Sequence, residues 1–205
     1  MNDFFESIKL KSSPKEDFEY EIFYDQNDKK KSFITAYVGE SSNVVIPARI
    51  DHCPMLGIGE WAFSNYNGLE RVVIPNGVED IGKGAFSGCR NLIKVIIPNS
   101  VYLIDEYAFY CCRSLENIII SDSVRVIGEE AFSGCSSLEF LKIPDSVEFI
   151  EESIVKDCDN LEWVYIKKSW SDLEIERIFG ENPQFKIFRT QQEIAEYLNS
   201  VKNPD

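Results

Sequence analysis

The sequence predicts a β-rich α/β solenoid with a cap at each end, and three observations predict it. A motif returns every 23 residues through the middle of the chain. Each copy holds a short alternating segment that stops near a proline. The segments outside this region, 1–43 and 168–205, leave the period. A fixed period of this length marks an architecture in which each repeat packs mainly on its neighbours.

One full unit reads Pro75-x-x-Val78-x-x-Ile81-Gly82-x-x-Ala85-Phe86-x-x-Cys89-x-x-Leu92-x-x-Val95-x-Ile97-Pro98. The next keeps Val101, Ile104, Ala108, Phe109, Cys112, Leu115, Ile118 and Ile120, and the one after keeps Val124, Ile127, Gly128, Ala131, Phe132, Cys135, Leu138, Leu141, Ile143 and Pro144. A worn copy follows, with Val147, Ile150, Cys158, Leu161, Val164 and Ile166, and with Ile154-Val155 in place of Ala-Phe. The first copy, from Ile46-Pro47 to Ala62-Phe63, carries about five extra residues around His52-Cys53-Pro54, and insertions in repeats map to loops.

Leu-x-x-Val-x-Ile alternates like a short strand with those positions inward. Stacked one per coil, such strands form a parallel sheet. The proline that follows lacks an amide donor and turns the chain. Val-x-x-Ile-Gly is a second short extended piece. Ala-Phe-x-x-Cys reads as one helical or 3₁₀ turn whose Phe enters the core. One coil cannot bury its apolar face alone, whereas the about five coils of 44–167 can.

These residues closely resemble the leucine-rich repeats of the bacterial surface antigen A type, also known from treponemal surface proteins. The resemblance covers roughly 44–167. It departs from the ribonuclease-inhibitor type of leucine-rich repeat, which has Asn after the strand where this chain has Pro75, Pro98, Ser121 and Pro144. It implies a right-handed horseshoe with its parallel sheet on the concave face. It also implies protein–protein binding or adhesion, often at a bacterial surface, and carries no shared catalytic residues.

The net charge of −14 and the pI near 4.6 make the chain a poor partner for nucleic acid or an anionic membrane. Met1 to Lys15 lacks the apolar core of a secretory signal, and no stretch approaches the roughly 20 apolar residues of a membrane span. Read alone, the chain is expected to be cytoplasmic; the resemblance offers the cell surface or secretion instead.

Cys89, Cys112, Cys135 and Cys158 recur one per coil and read as a ladder of buried thiols. Their side chains point the same way, which disfavours disulfides. A linear column does not converge on a metal. Cys53 and Cys111 fall outside the ladder. No cofactor or metal is expected.

Both ends read as caps. Phe18 to Tyr24 and Ser32 to Val38 form an expected hairpin around Asp25-Gln26-Asn27-Asp28, and Asn43 to Pro47 resembles the first coil's strand. Ser171-x-x-Glu174 opens a helix that ends near Gly180. Phe185 to Phe188 suits a strand. Thr190-x-x-Glu193 opens a last helix with Ile194, Tyr197, Leu198 and Val201 on one side.

The candidate site follows from the alternation. Outward strand positions are Arg71, Lys94, Asn117, Phe140 and Trp163 before the central residue, and Val73, Ile96, Ile119, Lys142 and Tyr165 after it. Several are apolar where a solvated strand should be polar. Such a stripe marks an interaction surface, with Phe140, Trp163 and Tyr165 as anchors. The expected ligand is a protein or peptide. The alternatives are a stripe covered by the C-terminal segment, or a homodimer in a structural, self-associating protein. Enzyme readings are weak: Gly57-x-Gly59-x-x-Ala62 overlaps the repeat's own glycine, and His52-Cys53 has no third group.

Overall fold

The structure, a computed structural model, describes residues 11–166, 169–180 and 183–202. The reading of the N-terminus as lacking a secretory signal falls largely on residues 1–10, outside the described residues. In chain order the strands are β1 (Phe18–Tyr24), β2 (Lys30–Tyr37), β3 (Asn43–Val45), β4 (Arg49–Ile50), β5 (Cys53–Ile58), β6 (Arg71–Val73), β7 (Asp80–Ile81), β8 (Lys94–Ile96), β9 (Leu103–Ile104), β10 (Val126–Ile127), β11 (Phe140–Lys142), β12 (Phe149–Ile150) and β13 (Trp163–Tyr165). Helix α1 (Asp172–Phe179), β14 (Lys186–Phe188) and helix α2 (Gln191–Lys202) follow.

The two extended pieces of each repeat build two sheets. The Val-x-x-Ile pieces give the first, in the order β1-β2-β5-β7-β9-β10-β12. Its strands are parallel except for the β1–β2 hairpin and the short β4, which pairs antiparallel with β5, so the hairpin extends this sheet at its N-terminal end. The leucine-motif pieces give the second, as β3-β6-β8 and β11-β13-β14. Ile119 joins its halves by bridging Ile96 and Lys142. Partners stand one period apart, as in Ile81 with Ile104 and Val72 with Val95. β14 continues the second sheet on β13, with Val164 opposite Ile187, so the period reaches beyond residue 167. The strand expected around Asn117 shrinks to the single Ile119 bridge; asparagine is depleted in strands.

The Ala-Phe-x-x-Cys turn is not helical. Ala85, Ser87 and Cys89 donate to Gly82, Gly84 and Phe86 within the coil, while Gly84, Phe86 and Gly88 donate to Glu106, Ala108 and Tyr110 of the next coil, at 2.7–3.1 Å. Alternate amides thus serve local turns and the neighbouring coil, which no helix allows. Two left-handed residues per coil make this possible. One column is Trp61, Gly84, Tyr107, Glu130 and Ser153; the other is Asn65, Gly88, Cys111, Gly134 and Asp157.

Phe63, Phe86, Phe109 and Phe132 run through the core with successive centroids 4.9, 5.3 and 5.6 Å apart. Each buried Phe contributes roughly 1.5–3 kcal/mol by burial and ring pairs about 0.5–1.5 kcal/mol more. Tyr37 of the hairpin stacks on Phe63 at 5.0 Å and closes the N-terminal end. Val155 ends the column at the other.

Helix α1 starts at the expected capping box, with the Ser171 hydroxyl accepting from the Glu174 amide. Its Ile175 and Ile178 are buried, and the Ser153 amide donates to the Ile178 carbonyl at 3.1 Å. Helix α2 is capped by Thr190 and Glu193, each side chain taking the other's backbone amide at 3.2 Å. Among the described residues, no helix is long and apolar enough to cross a membrane.

Candidate binding face

The second sheet turns Val72, Val95, Leu141 and Val164 into the core and the residues beside them outward. Two columns result. Arg71 stands beside Lys94, and Phe140 beside Trp163. Val73, Ile96, Ile119, Lys142, Tyr165 and Phe188 form the other. Arg71, Val73, Lys94 and Ile96 are half-exposed, Asn117 and Lys142 are exposed, and Ile119 shows 73% of its surface.

The aromatic end is ordered by stacking. Phe140 and Trp163 lie 5.0 Å apart and nearly parallel, and Phe188 meets Trp163 at 6.0 Å. The Lys142 ammonium sits 6.0 Å over the Tyr165 ring. Burial, and then the charge of Asp145, push the Tyr165 hydroxyl up. Phe188 was absent from the outward positions read in the sequence, although it stands one period after Tyr165. Ile194 and Leu198 belong to the apolar side of α2 expected from the sequence, and Ala195, which the spacing does not single out, joins them. They border Lys142, Trp163, Tyr165 and Gln191 around a groove of about 320 Å³. The C-terminal helix therefore overhangs one end of the stripe, while Ile119 stays open.

The cysteine ladder is a hydrogen-bonding device. Cys89, Cys112, Cys135 and Cys158 donate to the carbonyls of Phe63, Phe86, Phe109 and Phe132 at 3.0–3.2 Å. Burial pushes the Cys89 and Cys158 thiols up to about 12, and Cys112 and Cys135 well above the ordinary range. They stay protonated at neutral pH, so they are poor nucleophiles.

The His52-Cys53 loop ties down the hairpin. The Asp51 carboxylate accepts from Lys15 at 2.6 Å and from the Tyr20 hydroxyl at 2.5 Å, and these bonds hold it below the usual carboxylate range. His52 is exposed, whereas Cys53 is buried with its thiol 3.5 Å from the Asp51 carbonyl. A Cβ on Gly57 would meet the Phe33 ring at 2.0 Å, and one on Gly59 the Ile34 carbonyl at 2.6 Å. These glycines admit the hairpin rather than a phosphate.

Known proteins match this architecture. The family model of the BspA type leucine rich repeat region matches residues 56–185 in six copies. A leucine-rich repeat protein of Treponema pallidum is similar over 95% of this chain and 97% of its own, with 27% identity and a TM-score of 0.72. One from Bacteroides ovatus is similar over 72% of this chain and 39% of its own, at 27% identity and a TM-score of 0.63. The pneumococcal vaccine antigen PcpA shares the fold over 85% of this chain and 44% of its own, at 22% identity and a TM-score of 0.63. No curated protein is matched by the sequence. With its period, its paired sheets and a matching model over more than half its length, the chain belongs to the BspA-type leucine-rich repeat family.

Proposed function

We propose that the protein is a non-enzymatic binding module that holds a protein or peptide partner along the outer surface of the second sheet. The observation that carries this reading is the continuity of that surface. It runs from Val73 and Ile96 through the open Ile119 to the Phe140–Trp163 stack and Tyr165. Stacked rings held on a rigid sheet are already ordered, so a partner binds them at small entropic cost. Arg71, Lys94 and Lys142 add cations to the face, and Asn117 an amide. The family is generally one of protein-interaction modules, which supports the same reading.

Site-specific photo-crosslinking tests it. A photoreactive residue at Ile119 is expected to capture one protein partner, from extracts or extracellular fluid, that the same probe at Asp159 does not. Adducts only between copies of the chain, with a dimer in light scattering, would replace this reading with self-association.

A further inference from the structure

The outer face of the first sheet carries a second stripe, unlike the first in charge. Leu103, Val126 and Phe149 are neighbours in β9, β10 and β12, all directed away from the core, since Ile104, Ile127 and Ile150 fill the inward positions. Leu103 and Val126 are half-exposed and Phe149 is 50% exposed. Beside Phe149 lies a hollow of about 350 Å³ walled by Glu106, Glu129, Glu151, Glu152 and Arg177. Glu106 pairs with Lys83, and Arg177 bonds a backbone carbonyl. Among the described residues Glu129 and Glu152 form no ion pair.

We infer that this face docks a basic amphipathic α-helix of a partner protein. Its apolar residues at i, i+3 or i+4, and i+7 would lie along Leu103, Val126 and Phe149, and its lysines or arginines would reach Glu129, Glu151 and Glu152. The spacing agrees. Leu103 to Phe149 spans two strand separations, about 9.6 Å, and i to i+7 in a helix advances about 10.5 Å. The charge agrees as well, because the row is acidic and the chain carries −14 overall. This inference is independent of the second-sheet reading, whose flanking charges are Arg71, Lys94 and Lys142.

The test uses three fluorescein-labelled peptides of about 14 residues, read by anisotropy with the full chain. One has leucines at helical spacing and lysines elsewhere. The second replaces lysine by glutamate, and the third replaces leucine by serine. The expected result is binding of the first alone, weakening as salt rises. Phe149→Ser should reduce affinity about tenfold or more, and Glu129→Gln with Glu152→Gln should flatten the salt dependence. The exposed position of Phe149 lets that variant fold, which circular dichroism checks. A Phe140→Ala, Trp163→Ala, Tyr165→Ala variant should bind this peptide like the native chain. Absence of binding, equal binding of the serine peptide, or loss only in the second-sheet variant would overturn the inference.

Discussion

Arg177 donates from its guanidinium to the backbone carbonyl of Ile150 at 2.7 Å. Ile150 lies in β12, the last strand of the first sheet, so this carbonyl would otherwise face outward from an open edge. An unpaired strand edge invites further strand pairing. Helix α1 removes that opening with one side chain from above and with its own Ile178 carbonyl, which takes the Ser153 amide. Arg177→Ala should therefore cost about 1 kcal/mol, below the roughly 1.5–3 kcal/mol of charge-assisted bonds because the arginine is exposed. Urea denaturation measures the loss, and hydrogen exchange should localise it to residues 147–180.

The phenylalanine column makes a larger prediction. Phe109 stacks between Phe86 and Phe132 and is fully buried. Phe109→Ala should cost roughly 3–5 kcal/mol. Each coil leans mainly on its neighbours, so the cavity should also separate the two flanks. Calorimetry should then show a broadened or split transition where the native chain gives one.

Gly128 marks a close backbone approach between coils. A Cβ there would stand 2.4 Å from the Glu106 amide nitrogen and 2.7 Å from the Asp105 carbonyl carbon. These are backbone atoms, so no side chain can swing aside. Gly128→Ala should destabilise by about 2 kcal/mol or more, whereas Gly180→Ala meets no atom within 4 Å and is strained only by its positive φ. Paired thermal melts of the two variants separate collision from backbone strain.

The thiol ladder predicts a pH dependence. The folded-state values of Cys89, Cys112, Cys135 and Cys158 all lie above the ordinary thiol value of 9.0. A raised value favours folding while the group stays protonated in both states. That contribution is fully present below about pH 9 and is lost as pH rises towards 12. Stability should fall across this window, and Cys89→Ala should make the fall shallower. Below pH 9 a thiol reagent should modify half-exposed Cys111 while Cys89, Cys112 and Cys135 stay unreactive.

Much of this architecture is legible in the sequence because buried side chains must repeat when coils stack. Leu92, Val95 and Phe86 announce themselves by spacing. The left-handed columns are harder to see. Asn65, Gly88, Gly134 and Asp157 are residue types that favour that conformation, but Trp61, Tyr107, Glu130 and Cys111 are not. Inter-coil hydrogen bonds hold them there against a cost of about 1–2 kcal/mol each. That conformation makes Ala-Phe-x-x-Cys a run of turns, where the spacing alone suggests a helix. It also gives Cys111 a definite place.

The candidate faces divide along the same line. Three-residue strands let the outward positions of the second sheet be read by alternation. The first sheet's coil strands β7, β9, β10 and β12 are only two residues long, too short for that signal, so Leu103, Val126 and Phe149 do not stand out in the sequence. The placement of α2 depends on tertiary contacts such as Phe188 with Tyr197 at 5.4 Å and Lys186 over the Tyr197 ring at 4.0 Å, which no local pattern encodes.

The most direct test of the binding role is affinity capture with the native chain and with the folded Phe140→Ala, Trp163→Ala, Tyr165→Ala variant, read by mass spectrometry against cell extract and extracellular protein. The expected result is a protein retained by the native chain and lost with the three side chains. Equal retention by both baits would contradict it and move the site away from the second sheet.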